Sequence, residues 1–106
     1  MLPTTENNRY IVQVYVGALS ALYEALSVEA SKQTTSEEIV SCIVERLLLS
    51  ENVTYELAEV IGDDSGEECK ERRLAPSENP VQVMMLWPKN RTDQSSYRFY
   101  LREKVS

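Results

Sequence analysis

The chain has 106 residues, 42% of them hydrophobic and 26% charged, with no histidine and a formal charge of −6 at pH 7. That length holds one domain rather than two, and it can bury a core without metal or disulfide staples. The acidic balance argues against a general attraction to nucleic acid or anionic lipid, and no apolar run reaches the ~18 residues that a membrane-spanning helix needs.

Residues 1 to 8 are polar, contain Pro3 and do not resemble a signal peptide; they read as a flexible segment ahead of one domain over 9 to 104. "YIVQVYV", Tyr10 to Val16, is rich in β-branched and aromatic residues and predicts a strand, with "GALSA" as the loop after it. "LYEALSV", Leu22 to Val28, fits a second strand or the start of a helix. A clear helix follows over 36 to 49. Thr35 can cap it, and Glu38 completes a capping box. Ile39, Ile43 and Leu47 recur at helical spacing, with Val40, Val44 and Leu48 beside them. A stripe that wide needs a sheet to cover, and Val12, Val14, Leu57 and Phe99 are the residues expected beneath it.

"TYELAEVI", Thr54 to Ile61, predicts the next strand, "GDDSGEE" a turn, and "CKERRLA", Cys69 to Ala75, a polar returning strand near a sheet edge. "PSENP" is a loop. "VQVMMLW", Val81 to Trp87, reads as a short irregular apolar segment, with Trp87 closing one end of the core near Met84 or Met85. After the exposed loop "PKNRTDQSS", the last strand puts Tyr97, Phe99 and Leu101 on one face and Arg98, Tyr100 and Arg102 on the other. One amphipathic helix against a mixed five-stranded sheet is an α+β domain. With hairpins at both ends of the chain, the first and last strands can meet in the middle, in the order ββαββ(α)β of a ubiquitin-like β-grasp roll.

Chemistry has few footholds. The missing histidine removes the commonest general base and metal ligand, and three glycines, Gly17, Gly62 and Gly66, make no phosphate loop. Asp63, Asp64, Glu67 and Glu68 read as a solvated turn, because their spacing does not fit a calcium loop. Cys42 and Cys69 read as reduced thiols of a cytoplasmic protein; Cys42 has no histidine to activate it. Lys70, Arg72 and Arg73, with Glu71 among them, read as a solvated strand face. The glycosylation patterns at Asn52 and Asn90 read as chance matches. The expectation is a protein that is not an enzyme and has no cofactor or metal.

"TTSEEIVSCIVERLLL", "YELAEV", "ERRLAPSENPVQVMMLW" and "YRFYLREK", in that order, resemble the Ras-associating domain family. The shared features are a Thr-rich helix entry, a Tyr-x-Leu-x-Glu-Val strand, a loop acid before Pro80, an apolar segment ending in Trp87, and a Tyr/Phe strand running into basic residues. "NPVQVMMLWP" is similar to the Ras-associating domains of class IX unconventional myosins, which also carry a Rho GTPase-activating domain. The resemblance covers residues 9 to 104 and implies the ubiquitin-like roll, with the closing strand at the sheet centre. It also implies that the second strand adds to the edge strand of a GTP-loaded Ras-family GTPase beside its acidic switch I, with basic residues supplied by the first two strands and the first helix.

Carried over position by position, the basic sites fall at Gln13 on the first strand, at Glu24 on the second, and at Ser41 or Cys42 on the helix. None is basic, and Glu24 reverses the sign. Up to Val53 the only cations are Arg9, Lys32 and Arg46, against seven glutamates. The interface candidates are Arg9, Gln13, Tyr23, Glu24, Ser27, Glu29, Lys32 and Cys42, around the backbone of 22 to 29. The expected function is a monomeric Ras-associating module of a larger signalling protein that binds its GTPase weakly or with unusual specificity. Two alternatives stand beside it. One is a Ras-associating fold that does not bind Ras and serves as an intramolecular or scaffold contact. The other is a ubiquitin-like module of another family, disfavoured as a modifier because no Gly-Gly terminus is present. Arg98 and Arg102 are expected to pair with acids on neighbouring strands, such as Glu56 and Glu59.

Overall fold

The computed structural model describes residues 9–50, 52–62, 69–88 and 96–104. Segment 1 to 8, the acidic turn at Asp63, Asp64, Glu67 and Glu68, and the pattern at Asn90 lie outside them.

Among the described residues, five strands and two helices follow in the order β1 (Tyr10–Tyr15), β2 (Ala25–Ala30), α1 (Ser36–Leu47), β3 (Tyr55–Gly62), β4 (Cys69–Arg73), α2 (Pro80–Met85) and β5 (Ser96–Glu103). The sheet order is β2-β1-β5-β3-β4, so the closing strand is central. β1 pairs antiparallel with β2 and parallel with β5. The parallel ladder comprises only Val14↔Phe99 and Tyr15↔Tyr100, whereas β3 and β5 pair antiparallel from Tyr55↔Glu103 to Gly62↔Ser96.

Alternation along each strand sets the core. Val12 and Val14 of β1, Val28 and Ala30 of β2, Leu57 of β3, and Phe99 and Leu101 of β5 face one side. α1 lays Ile39 and Ile43 on them, and Val81 of α2 with Leu74 closes the same cluster. The expected stripe is therefore buried, with Leu47 at its margin. The capping box forms: the Glu38 N–H donates to Thr35 Oγ1 at 3.2 Å, and Thr35 N–H donates to Glu38 Oε1 at 2.8 Å. Two further amides at the helix start, Ser36 N and Glu37 N, donate to the carbonyls of Glu78 (2.6 Å) and Pro76 (3.1 Å), which ties the helix to the loop before α2.

Four expectations need correction. α1 stops at Leu47, because Leu48 turns left-handed (φ 54°) and directs its amide to Val44 and Glu45. Leu48 is thus 87% exposed rather than part of the stripe, and Leu49 packs on the core instead. The 22–28 segment resolves as a strand that starts late, at Ala25. Before it, Val16 N and Gly17 N both donate to Glu24 O (2.8 and 3.1 Å), so two residues just after β1 face one residue just before β2, as in a bulge. The returning strand is shorter than expected and ends at Arg73. The segment read as irregular is helical from Pro80 to Met85. Proline at the first helical turn starts it, where a missing N–H costs nothing, and six residues are too few to show periodicity.

Candidate functional site

β2 is an outer strand, and its backbone geometry decides what it can offer. Its bonded pairs with β1 alternate, beginning with the Glu24 carbonyl and continuing through Leu26, Val28 and Ala30. Ala25, Ser27 and Glu29 therefore turn their N–H and C=O groups outward. Ala25 and Ser27 are also small, so a second backbone can approach. The other outer strand, β4, differs: its side chains are charged and tied together. Arg72 Nη1 donates to both oxygens of Glu78 (2.9 and 3.1 Å), and its Nε donates to Glu59 (3.2 Å). Arg73 bonds Glu56 and Glu71, and Arg102 Nη2 donates to Glu71 at 3.0 Å. Paired charge of this kind blunts an edge.

The sequence candidates cluster around β2. Gln13 sits opposite Ser27, and both are exposed on the sheet face away from α1. Tyr23 and Glu24 are exposed just before the strand. Arg9 Nη1 lies 3.9 Å from Glu29 Oε1, an exposed pair of small energetic value. Lys32 is exposed beyond the end of β2, and its carbonyl accepts from Gln82 Nε2 at 2.8 Å. Of the two helix positions, Ser41 lines the groove on the β3 side of α1, whereas Cys42 is half-buried against the core.

Sequence reasoning missed Arg46, which it counted only as one of three early cations. One turn after Cys42 on the same helix face, its Nη1 donates to the Ser27 carbonyl at 3.0 Å. A cation therefore lies across one of the outward acceptors of β2. The available signal was the spacing of four from Cys42 in the last helical turn.

The face of β5 away from α1 also departs from expectation. Glu59 lies opposite Phe99, so strand parity turns it toward the helix side, out of reach of Arg98 and Arg102. There it accepts from Trp87 Nε1 at 2.6 Å as well as from Arg72. Glu56 is taken by Arg73. Arg102 stacks on Tyr100 (4.9 Å) and pairs with Glu71; Arg98 lies over Tyr15 (5.0 Å), which itself stacks on Tyr100 at 5.3 Å.

A family model for the Ras association (RalGDS/AF-6) domain matches residues 8–105, nearly the whole chain. The chain belongs to the Ras association domain family. This Ras association domain is 38% identical over 103 residues, 93% of the chain, to unconventional myosin-IXa of Homo sapiens, and 37% identical over 103 residues to unconventional myosin-IXAa of Danio rerio. It spans about 4% of the length of those relatives. The Rasip1 RA domain superposes with a TM-score of 0.69 at 26% identity, covering 91% of this chain and 89% of that one. The RA domain of a guanine nucleotide exchange factor for Rap1 shares the fold, with a TM-score of 0.54 at 19% identity over 97% of this chain and 82% of that one. The ubiquitin-like roll and the family resemblance are both borne out, and with them a protein-interaction module.

Proposed function

We propose that this Ras association domain, as a module of a larger signalling protein, receives a GTP-loaded Ras-family GTPase along the outer side of β2, and that charge makes the docking weak or selective. The observation that carries this reading is the β2 backbone turned outward with Arg46 across it. An incoming strand would pair with the outward groups of Ala25, Ser27 and Glu29. Arg46 would release Ser27 and turn to an acidic switch region. Against that attraction stand Glu24, Glu29 and Glu45, with Arg9 already spent on Glu29.

Titration against Ras, Rap, Ral and Rho proteins in both nucleotide states tests the reading. The expected result is a preference for the GTP state, an affinity for standard Ras weaker than micromolar, and loss of binding in Arg46→Glu. Tight binding to standard Ras would defeat the charge argument. The acidic rim favours one alternative, a domain that has given up Ras binding for a scaffold contact; failure of every panel member at low salt would select it.

A further inference from the structure

Among the described residues the β1–β5 ladder is two pairs long, and toward Tyr10 and Ser96 the two strands part. A cleft of about 290 Å³ opens between them. Ile11 and Gln13 form one wall and Arg98 the other, while Met84 and Trp87 from the α2 side form the floor. We propose that this cleft docks an acidic segment of a partner protein, with one apolar side chain seated over Trp87 and Met84 and a neighbouring carboxylate on Arg98.

Size comes first. The space is roughly ten times the ~30 Å³ that a water occupies in the liquid, and it lies at the lower limit of small-molecule pockets. It suits a side chain better than a cofactor. Its wall is apolar where solvent would favour polarity: Ile11, the second residue of β1, is 58% exposed.

Charge identifies the occupant. Arg73 and Arg102, on the same sheet face, are both held by Glu71. Arg98 is exposed and, among the described residues, has no carboxylate within salt-bridge distance; it rests on the Tyr15 ring instead. Resting on the Tyr15 ring and beside the Tyr100 hydroxyl, the guanidinium has little side-chain freedom left to lose when a carboxylate binds it, and the incoming carboxylate competes with that hydroxyl and with the nearby Glu24. Nucleic acid and anionic bilayers are poor fits, because each presents many closely spaced charges to a chain carrying −6, whereas a segment that sets a single carboxylate on Arg98 meets its cation at short range. The cleft lies on the inner side of β1, away from the outer side of β2, and shares only Gln13 with the candidate GTPase surface.

Trp87 is the chain's single tryptophan, so its fluorescence reports on the cleft floor. The probe is a synthetic peptide with one leucine flanked by glutamates, and its control replaces the glutamates with glutamine. The proposal expects a saturable change in Trp87 emission with the acidic peptide. Arg98→Glu should weaken that binding by ~10- to 100-fold, the worth of a charged hydrogen-bonded pair. Arg98→Lys should keep part of it, and Arg46→Ala should leave it unchanged, which separates this site from the β2 edge. Amide shifts at Ile11 and Gln13, followed by NMR in variants that keep the wild-type melting temperature, provide a second readout. No saturable change, equal binding of the glutamine peptide, or undiminished binding by a folded Arg98→Glu variant would overturn the proposal. So would emission changes that arise from self-association without peptide.

Discussion

Ile43 is fully buried where α1 crosses the sheet, so Ile43→Ala should cost ~2–5 kcal/mol from lost transfer energy and the cavity left behind, read as a lower midpoint in urea. Leu48 presents the opposite case. It holds a left-handed backbone conformation that disfavours a β-carbon by ~1–2 kcal/mol, and its side chain contributes little because it is exposed. Leu48→Gly should therefore raise the melting temperature, the gain being offset in part by the extra freedom of glycine in the unfolded chain. Trp87 packs 4.9 Å from the Phe99 ring and 5.7 Å from Tyr97, so iodide should quench it less than it quenches free tryptophan. The burial of Ile39 and Ile43 was legible from spacing alone. The position of Leu48 was not: periodicity continues past the point where the backbone turns, and no glycine marks the turn.

Between elements, charge adds to the five-pair backbone ladder that holds β4 on β3. Burial by itself would push the Glu71 carboxyl up, but hydrogen bonds from Arg73 and Arg102 outweigh it and hold the group below its ordinary value. Glu78 is likewise raised by burial and brought lower by the Ala75 amide and by Arg72. A carboxyl depressed in the folded state contributes stability that is fully present above its unfolded value, ~4.3, and is lost as pH falls through the folded value. The melting temperature should thus drop on acidification below that range. Glu71→Gln and Glu78→Gln should lower it at neutral pH and flatten its acid limb, followed by circular dichroism. This network was only half legible. Alternation marked Arg98 and Arg102 as facing away from the helix, but choosing their partners required the register, which puts Glu59 on the opposite face. Arg46 was hidden for a related reason: its partner is a backbone carbonyl, which no side-chain pattern reveals.

For the whole molecule, the distribution of charge rather than its sum governs docking. Gln13 and Glu24 flank the β2 edge in positions that a basic rim would occupy. Lysine at both should speed association with GTP-loaded Ras or Rap at low salt, read in stopped flow. The gain should shrink as the screening length falls to ~8 Å near physiological ionic strength. An unchanged rate at low salt would mean that something other than charge blocks the edge. The order of elements and the ubiquitin-like roll were legible from patterning and turn residues, because the alternation of β1, β2 and β5 agrees with one buried face. The cleft beside Trp87 was not legible, since it depends on where two distant strands stop pairing.

The same two-pair ladder has a mechanical consequence. β1 and β5 lie side by side and parallel, and they are the first and last strands among the described residues. Tension applied through the two ends of the domain therefore loads their ladder in shear, all of its bonds at once. With so few bonds sharing the load, the sheet should split in its middle at low force, leaving the β1–β2 and β3–β4–β5 halves each paired internally. Pulling the domain by its ends in an optical trap should show an early, partial extension before full unfolding. Arg98 and Tyr15, which stack across that seam, would be the first contacts to separate.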